Sequence, residues 1–417
     1  MAEIRIRGGQ PLKGTIEISG AKNAALPILA AALAAAEGES ELAAVPRLND
    51  VTVMLELLST LGLRIETDST GTLFLAAGDL HSHEAPYSLV SKMRASALIM
   101  GPLLARLGKA RISLPGGCAI GTRPIDLHLK GFAALGAEIN LGHGFIEAVC
   151  SKLRGASIYL DYPSVGATEN ILTAAALAEG TTVLENAAAE PEIVDLAAYL
   201  NDMGANITGA GSNRIQIEGV KSLCGARHRI IPDRIEAGTY LVAAVLAQGA
   251  ITLRAVESGH MGPILSKLRE AGVEITELCD SLTVHSPRWL KPTDIQTLPH
   301  PGFPTDMQPQ FMALLTQAFG TSVVSETVFE NRLMHVSELC RMGANIKVRG
   351  RQAIVYGPAQ LTGARVAATD LRAGAALVLA ALAARGETIV TEVQHIDRGY
   401  VRLVENLHAL GADIERG

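Results

Sequence analysis

Residues 203–219, MGANITGAGSNRIQIEG, contain the pattern that decides the fold: a glycine between two apolar residues, followed by stretches that alternate apolar and polar residues. The glycine predicts a helix end, because only glycine adopts the left-handed backbone conformation at little cost. The alternation predicts strands. The same signature occurs six times, with glycines 74, 68, 68, 71 and 68 residues apart. These glycines are Gly62, Gly136, Gly204, Gly272, Gly343 and Gly411.

A second element recurs in phase with the first. A turn with polar residues opens an Ala/Leu-rich helix that is apolar nearly all round, so we expect this helix to be buried. The six turns lie at residues 19–23, 92–95, 164–168, 233–236, 304–307 and 370–373. Each unit then follows a βαβαββ pattern, and the chain is an α/β protein built from six such repeats.

The two ends of the chain indicate how the repeats are grouped. The last repeat stops at residues 413–417 without the returning strand of the others, whereas residues 3–9 have the pattern of that strand. We therefore expect the N-terminal strands to complete the sixth repeat. This predicts two lobes of three repeats, one formed by residues 22–232 and the other by residues 1–21 plus 233–417.

Composition excludes several classes of function. A net charge of −6, no long basic run and 4% aromatic residues argue against nucleic acid as a partner. The longest apolar stretch, residues 24–36, contains Pro27 and is too short to span a membrane, and the N-terminus lacks a signal-peptide core. We expect a cytoplasmic protein. The five cysteines are far apart and never spaced as CxxC, which suggests neither a disulfide framework nor a zinc site.

Cations recur at the helix starts and in the loops of the second element. Helix starts are natural anion sites, because their N–H groups are unpaired and the helix dipole is positive there. Any one such residue is more often a solvated cap, but seven at equivalent places indicate an anionic ligand. They are Lys22, Arg94, Arg123, Arg234, Arg332, Arg372 and Arg398.

Two further residues are candidates for acid–base chemistry. Cys118 follows two glycines in a long loop, which predicts an exposed thiol, whereas a lone cysteine is usually a buried hydrophobe. Asp306 stands at a helix start, where it is either an N-cap or a general base. Asp50 and Asp370 have capping or charge-pairing roles by default, and Asp397 is expected to orient Arg398 through a salt bridge.

Seven motifs together resemble the UDP-N-acetylglucosamine 1-carboxyvinyltransferase family, within the EPSP synthase-like enolpyruvyl transferases, and the likeness spans the full length. They are SGAKNAALP (19–27), PGGC (115–118), GTRP (121–124), SVGAT (164–168), FPTDMQ (303–308), ETVFENR (326–332) and HIDRGY (395–400). The resemblance implies a two-lobed inside-out α/β barrel with substrates bound between the lobes. It also implies transfer of the enolpyruvyl group of phosphoenolpyruvate to the 3-hydroxyl of UDP-N-acetylglucosamine, with release of phosphate.

The resemblance also implies a role for individual residues. Lys22, Arg123 and Arg398 would hold phosphoenolpyruvate, with Asn23 beside the substrates. Cys118 would donate a proton to C3, and Asp306 would accept the proton of the sugar hydroxyl. The nucleotide sugar would contact Asn23, Arg94, Arg123, Pro124, Ile125, Asp126, Leu127, Ser164, Val165, Gly166, Asp306 and Val328. Tyr162 stands where some members have lysine. No metal or organic cofactor is implied, since lysine and arginines supply the charge.

Three alternatives remain open. The first is the sister enzyme that uses shikimate 3-phosphate, whose family lacks the PGGC loop. The second is a non-catalytic paralogue that only binds UDP-sugars, which the presence of Lys22, Cys118, Asp306 and Arg398 disfavours. The third is an RNA 3′-phosphate cyclase built from related modules, for which a nucleotide-binding histidine pattern is not found. The pattern does not decide the oligomeric state.

Overall fold

The computed structural model describes residues 2–113, 125–142 and 144–417, which divide into two compact units. One unit contains residues 20–113, 125–142 and 144–231, and we call it the N-terminal lobe. The other contains residues 2–19 and 232–417, and we call it the C-terminal lobe. The chain therefore passes from one lobe to the other after Ser19 and again after Ile231.

The C-terminal lobe begins with two strands, β1 (Ile4–Arg7) and β2 (Lys13–Glu17). Its helices are numbered after those of the N-terminal lobe: α8 (Arg234–Leu246), α9 (Gly262–Glu270), α10 (Gln308–Leu315), α11 (Val336–Arg341), α12 (Leu371–Ala383) and α13 (Leu403–Ala409). Its later strands are β16 (Ala250–Arg254), β17 (Glu274–Leu278), β18 (Ser281–His285), β19 (Ile295–Gln296), β20 (Gly320–Ser325), β21 (Asn345–Arg349), β22 (Gln352–Gly357), β23 (Arg365–Ala367), β24 (Glu387–Thr391) and β25 (Asp413–Arg416).

The N-terminal lobe has the same kinds of element. Its helices are α1 (Lys22–Ala31), α2 (Asn49–Leu61), α3 (Tyr87–Val90), α4 (Met100–Leu107), α5 (Asp126–Ala134), α6 (Val165–Ala175) and α7 (Pro191–Asp202). Its strands are β3 (Ala35–Glu37), β4 (Ser40–Ala43), β5 (Arg64–Thr67), β6 (Leu73–Ala76), β7 (Lys109–Ser113), β8 (Glu138–Leu141), β9 (Phe145–Val149), β10 (Ser157–Tyr159), β11 (Thr181–Glu185), β12 (Asn206–Thr208), β13 (Arg214–Glu218), β14 (Leu223–Cys224) and β15 (Arg227–Arg229).

The sheets repeat one arrangement in both lobes. In the C-terminal lobe the strand orders are β23-β24-β1-β25, β17-β18-β16-β2 and β19-β20-β22-β21. In the N-terminal lobe they are β15-β4-β6-β5, β10-β11-β13-β12 and β7-β9-β8, with a separate β14-β3 pair. Within the described residues the β7 sheet has three strands, because its parallel neighbour is reduced to a bridge between Glu84 and Arg111.

Buried helices form the centre of each lobe. In the C-terminal lobe α8, α10 and α12 contact one another, and every residue of α10 is buried. In the N-terminal lobe α1, α4 and α6 contact one another in the same way. Strands such as β13 bury alternate residues and expose the others, so one face of each sheet packs inward. The predicted α/β class, with helices inside and sheets outside, is confirmed.

The six signature glycines have the predicted conformation. Their φ angles lie between +93° and +110°. Gly62, for example, caps α2 in the left-handed region, and its N–H bonds the carbonyls of Leu58 and Ser59. A residue with a Cβ would be strained at these helix ends, which is why the pattern could be read from the sequence.

The two N-terminal strands belong to different sheets. Strand β1 lies between β24 and β25, with Ile6 opposite both Thr388 and Ile414. Strand β2 instead pairs in parallel with β16, where Lys13 lies opposite Ala250, 237 residues later in the chain. The expectation that both strands complete the sixth repeat is therefore wrong for β2. Between the two strands, the N–H of Gly9 donates a hydrogen bond to the carbonyl of Leu382, and the N–H of Lys13 donates one to the carbonyl of Leu410. These bonds fix the path of the chain from one sheet to the next.

Candidate functional site

The start of α1 presents a buried ion pair beside an exposed amide. Lys22 is the first residue of the helix and is only 8% exposed, and its Nζ lies 3.4 Å from Oδ2 of Asp50 in the first turn of α2. Asn23, the next residue, is exposed. Asp50 thus has the charge-pairing role expected for it. The pair keeps an ammonium group at a helix start, where the dipole already favours an anion.

A second candidate region of the N-terminal lobe is formed by the starts of α5 and α6. Ser164 is the N-cap of α6, and its side chain accepts a hydrogen bond from the N–H of Ala167 at 3.4 Å. A Cβ at Gly166 would lie 3.1 Å from Cε1 of His128, in the first turn of α5. Two segments predicted to contact the nucleotide sugar, ending at Leu127 and at Gly166, are therefore neighbours in space.

The other predicted residues of the N-terminal half differ in exposure, and three of them are not described by the structure. Cys118, Arg123 and Pro124 lie outside the described residues. Arg94 opens a short 3₁₀ turn before α4 and is half-buried. Ile125 is buried, Asp126 is exposed, and Tyr162 is exposed. The described cysteines, Cys150, Cys224, Cys279 and Cys340, are free thiols.

In the C-terminal lobe, Asp306 is held by two arginines that are distant in sequence. Nη2 of Arg332 lies 2.8 Å from Oδ1 of Asp306, and Nη2 of Arg372 lies 3.0 Å from Oδ2. Both arginines are 3% exposed, whereas the Asp306 side chain is 27% exposed. Each carboxylate oxygen thus accepts one hydrogen bond from a buried guanidinium. Because the Asp306 side chain is partly exposed, a ligand can reach the carboxylate while both arginines hold it.

The electrostatics around Arg372 keep it charged. Burial alone lowers the pKa of Arg372, but Asp306, Tyr400 and Asp233 together raise it above its ordinary value. The guanidinium also lies 5.3 Å from the centre of the Tyr400 ring. Nearby, burial and the charge of Asp233 raise the pKa of Glu236 to about 7, although Ser19 donates two hydrogen bonds to its Oε2.

Glu326 connects Thr305, the residue before Asp306, to Val328. This buried carboxylate accepts hydrogen bonds from the hydroxyl of Thr305 at 2.9 Å and from the N–H of Val328 at 2.8 Å. It also accepts from Thr297 and from the N–H of Phe329. Val328, a predicted nucleotide-sugar residue, and Thr305, the neighbour of Asp306, are thereby held by one side chain. Sequence reasoning included Glu326 in a motif but gave it no role.

Arg398 ends a 3₁₀ turn that begins at Val393, and it is half-exposed. The expected salt bridge from Asp397 to Arg398 is wrong. Asp397 instead binds Arg416 of β25 through both oxygens, at 2.7 and 2.5 Å. Adjacent residues on a tight turn point in different directions, and β25 brings Arg416 to the face on which Asp397 lies.

The described residues contain no group of three or more His, Cys, Asp or Glu side chains arranged to hold a metal ion. Nor does any described helix have the length and apolar character to cross a membrane. The charged groups described above are arginines, a lysine and carboxylates. This donor set suits phosphate groups and hydroxyls.

The family model of EPSP synthase (3-phosphoshikimate 1-carboxyvinyltransferase) matches residues 6–407. The chain belongs to this family. Within the EPSP synthase family, it is 60% identical to UDP-N-acetylglucosamine 1-carboxyvinyltransferase 2 of Carboxydothermus hydrogenoformans, with 100% of this chain and 99% of the relative covered. It is 58% identical to UDP-N-acetylglucosamine 1-carboxyvinyltransferase 1 of Halalkalibacterium halodurans, with 100% and 94% covered. The family expected from the seven motifs is confirmed, and the chain is an enzyme.

Two solved structures share the fold of this chain. The enolpyruvyl transferase NikO of Streptomyces tendae matches with a TM-score of 0.91 and 29% identity, over 100% of this chain and 98% of that one. EPSP synthase of Acinetobacter baumannii matches with a TM-score of 0.78 over 100% of both chains, and its 19% identity supports the fold alone.

Proposed function

We propose that this enzyme transfers the enolpyruvyl group of phosphoenolpyruvate to the 3-hydroxyl of UDP-N-acetylglucosamine and releases phosphate, the first committed step of peptidoglycan precursor synthesis. The observation that carries this proposal is identity of 58–60% over nearly the whole chain to relatives named for that transferase. The sister reaction on shikimate 3-phosphate is the second candidate, because the matching family model carries that name.

The cations serve the phosphate of phosphoenolpyruvate in this proposal. Lys22, Arg123 and Arg398 bind it, with Asn23 beside them. Arginine suits this task because its planar fork binds phosphate oxygens in pairs and stays charged throughout. The contact between Lys22 and Asp50 supports the assignment, since it holds the ammonium group at the start of α1.

The chemical steps need one base and one acid. Asp306 accepts the proton of the sugar 3-hydroxyl while the oxygen of that hydroxyl forms a bond to C2 of phosphoenolpyruvate. The thiol of Cys118 gives a proton to C3. The resulting tetrahedral ketal loses a proton from C3 and breaks the bond from C2 to the phosphate oxygen, which leaves with the phosphate. A thiol with an ordinary pKa of about 8.5 is protonated at pH 7 and can serve as this acid.

The two guanidiniums beside Asp306 decide how this carboxylate acts. They stabilise its charged form, so the carboxylate is present when a cationic, oxocarbenium-like C2 develops and stabilises it. Proton transfer from the sugar then uses the exposed side of the Asp306 carboxylate. We expect Asp306 to contribute both as a charge and as a base.

The nucleotide sugar has its own set of proposed contacts. In the N-terminal lobe, the neighbouring starts of α5 and α6 support binding by Leu127 and Gly166. In the C-terminal lobe, Glu326 accepts hydrogen bonds from Val328 and from Thr305, the residue before Asp306, which supports binding by Val328 and Asp306. The full proposed set is Asn23, Arg94, Arg123, Pro124, Ile125, Asp126, Leu127, Ser164, Val165, Gly166, Asp306 and Val328. Both substrates are metabolites of the cytoplasm, so we place the enzyme there.

The test is phosphate release from phosphoenolpyruvate with each acceptor in turn. UDP-N-acetylglucosamine, shikimate 3-phosphate and no acceptor are compared for the wild-type enzyme, with Asp306→Asn as the impaired variant and the exposed Glu277→Gln as its matched control. Release with the nucleotide sugar alone is the expected result. Release with shikimate 3-phosphate would assign the sister reaction instead, and release with neither acceptor would leave a protein that only binds UDP-sugars.

A further inference from the structure

Tyr400 lies in the interior of the C-terminal lobe, where its hydroxyl meets polar side chains of two central helices. Oη of Tyr400 lies 3.0 Å from Oγ1 of Thr239 in α8 and 3.1 Å from Nε2 of Gln310 in α10. Nε2 of Gln310 also lies 3.2 Å from Oγ1 of Thr239. All three side chains are buried, so their polar groups depend on one another for hydrogen bonds.

Thr239 determines the direction of each hydrogen bond in this network. Its hydroxyl donates to the carbonyl of Ile235 at 2.7 Å, and a hydroxyl has a single hydrogen. Oγ1 of Thr239 can therefore only accept from the other two groups, so the hydroxyl of Tyr400 and the NH₂ group of Gln310 both donate to it. The second hydrogen of that NH₂ group is left for Oη of Tyr400. The phenol group thus donates once and accepts once, which fixes its position between α8 and α10.

The ring of Tyr400 in turn contacts the guanidinium of Arg372. Cζ of Arg372 lies 5.3 Å from the ring centre, a distance at which an aromatic ring attracts a cation. Nη2 of Arg372 donates to Oδ2 of Asp306 at 3.0 Å. Nε and Nη1 of Arg372 are buried and have no hydrogen-bond partner among the described residues. Asp306 and Tyr400 are therefore the side chains that orient this guanidinium.

We infer that Tyr400 is a positioning residue for enolpyruvyl transfer, which holds Arg372 in the orientation in which its Nη2 meets the Asp306 carboxylate. This inference rests on the proposed function, in which Asp306 is the general base. Because Tyr400 is buried, it acts through Arg372 and not by contact with a substrate. It therefore affects the rate of the chemical step and not the binding of either substrate. A displacement of about 1 Å in a reacting group is enough to lower turnover by about 100-fold.

Steady-state kinetics of ring and hydroxyl variants test the inference. Phosphate release with UDP-N-acetylglucosamine is measured for the wild-type enzyme, Tyr400→Phe and Tyr400→Leu, with both substrate concentrations varied. Tyr356 of β22, whose ring centre lies 5.6 Å from Nζ of Lys347, provides the matched control Tyr356→Leu. We expect Tyr400→Leu to lower kcat by about 10- to 100-fold with unchanged KM values. Tyr400→Phe keeps the ring and should lose less, and Tyr356→Leu should keep the wild-type kcat.

A double-mutant cycle separates positioning from a general loss of structure. In the Asp306→Asn background, Tyr400→Leu should no longer lower kcat, because the base on which Tyr400 acts is already absent. Equal fold losses of kcat in the two backgrounds would overturn the inference. An unchanged kcat of Tyr400→Leu, or a loss that appears only in KM, would overturn it as well.

Should Tyr400→Leu fail to fold, the hydroxyl network decides. Tyr400→Phe and Thr239→Val remove the same hydrogen bond from its two ends, so each should lower kcat and the double variant should lose less than the product of the two losses. Fully multiplicative losses, or no loss in either single variant, would refute the positioning role.

The wild-type enzyme, measured in parallel with UDP-N-acetylglucosamine and with shikimate 3-phosphate, tests the proposed function separately. Turnover with shikimate 3-phosphate alone would refute the proposed acceptor, and the Tyr400 variants would then be compared with that acceptor by the same criteria.

Discussion

Replacing Asp306 by asparagine tests the arrangement in the C-terminal lobe most sharply. The variant keeps the shape of the side chain but removes the charge that faces Arg332 at 2.8 Å and Arg372 at 3.0 Å. Hydrogen bonds to charged groups contribute about 1.5–3 kcal/mol each. Because the Asp306 side chain is 27% exposed, the lower end applies, and the two contacts together contribute about 3 kcal/mol to the free energy of unfolding.

The catalytic effect of Asp306→Asn should exceed its effect on binding. Loss of a general base reduces turnover by about 10²- to 10⁴-fold, whereas the amide still accepts a hydrogen bond from the sugar. Phosphate release under saturating substrates gives kcat, and urea unfolding gives stability. The control Glu277→Gln loses only an exposed contact with Arg269 and should cost at most about 1 kcal/mol. An Asp306→Asn enzyme with turnover near the wild-type value would refute the reasoning.

Three further predictions concern other ionisable groups. Folding raises the pKa of Glu236 from 4.5 to about 7, so between these pH values the folded state holds a proton that the unfolded state has lost. The free energy of unfolding should therefore fall by about 3 kcal/mol as the pH rises through this window. Urea titrations should show a much smaller fall for Glu236→Gln. Asp50→Asn removes the carboxylate that faces the buried ammonium of Lys22 and should cost about 3 kcal/mol in urea unfolding. Glu179→Gln, in an exposed pair, should cost much less, and equal losses for the two variants would contradict the burial argument. Cys118→Asp should keep part of the activity and Cys118→Ser should lose most of it, and full activity of the serine variant would exclude the acid role. Intact-mass spectra should show that fosfomycin, an epoxide phosphonate, modifies Cys118.

Local patterns predicted the framework of the fold because each signal depends on one residue. The six signature glycines are needed wherever a helix ends in the left-handed conformation, and all have positive φ. The helix starts at Asp233 and Asp370 were equally visible, since each side chain accepts two N–H groups of its own helix. The partner sheet of β2 was not visible, because an alternating strand carries no information about its neighbour.

Residues that meet across long sequence separations were harder to predict. Arg332 and Arg372 were recognised as cations at suggestive places, but their convergence on Asp306 depends on how separate repeats pack. The pair of Asp397 and Arg416 was missed for the same reason.

The position of bond cleavage in phosphoenolpyruvate tests the proposed reaction most directly. Enolpyruvyl transfer breaks the bond between C2 and the bridging oxygen, so that oxygen leaves with the phosphate, whereas attack at phosphorus leaves it on the three-carbon fragment. The enzyme converts phosphoenolpyruvate labelled with ¹⁸O at the bridging position in the presence of UDP-N-acetylglucosamine. The masses of the phosphate and of the nucleotide sugar are then measured by mass spectrometry. We predict labelled phosphate and a nucleotide sugar heavier by one enolpyruvyl group. Unlabelled phosphate together with labelled pyruvate would contradict enolpyruvyl transfer.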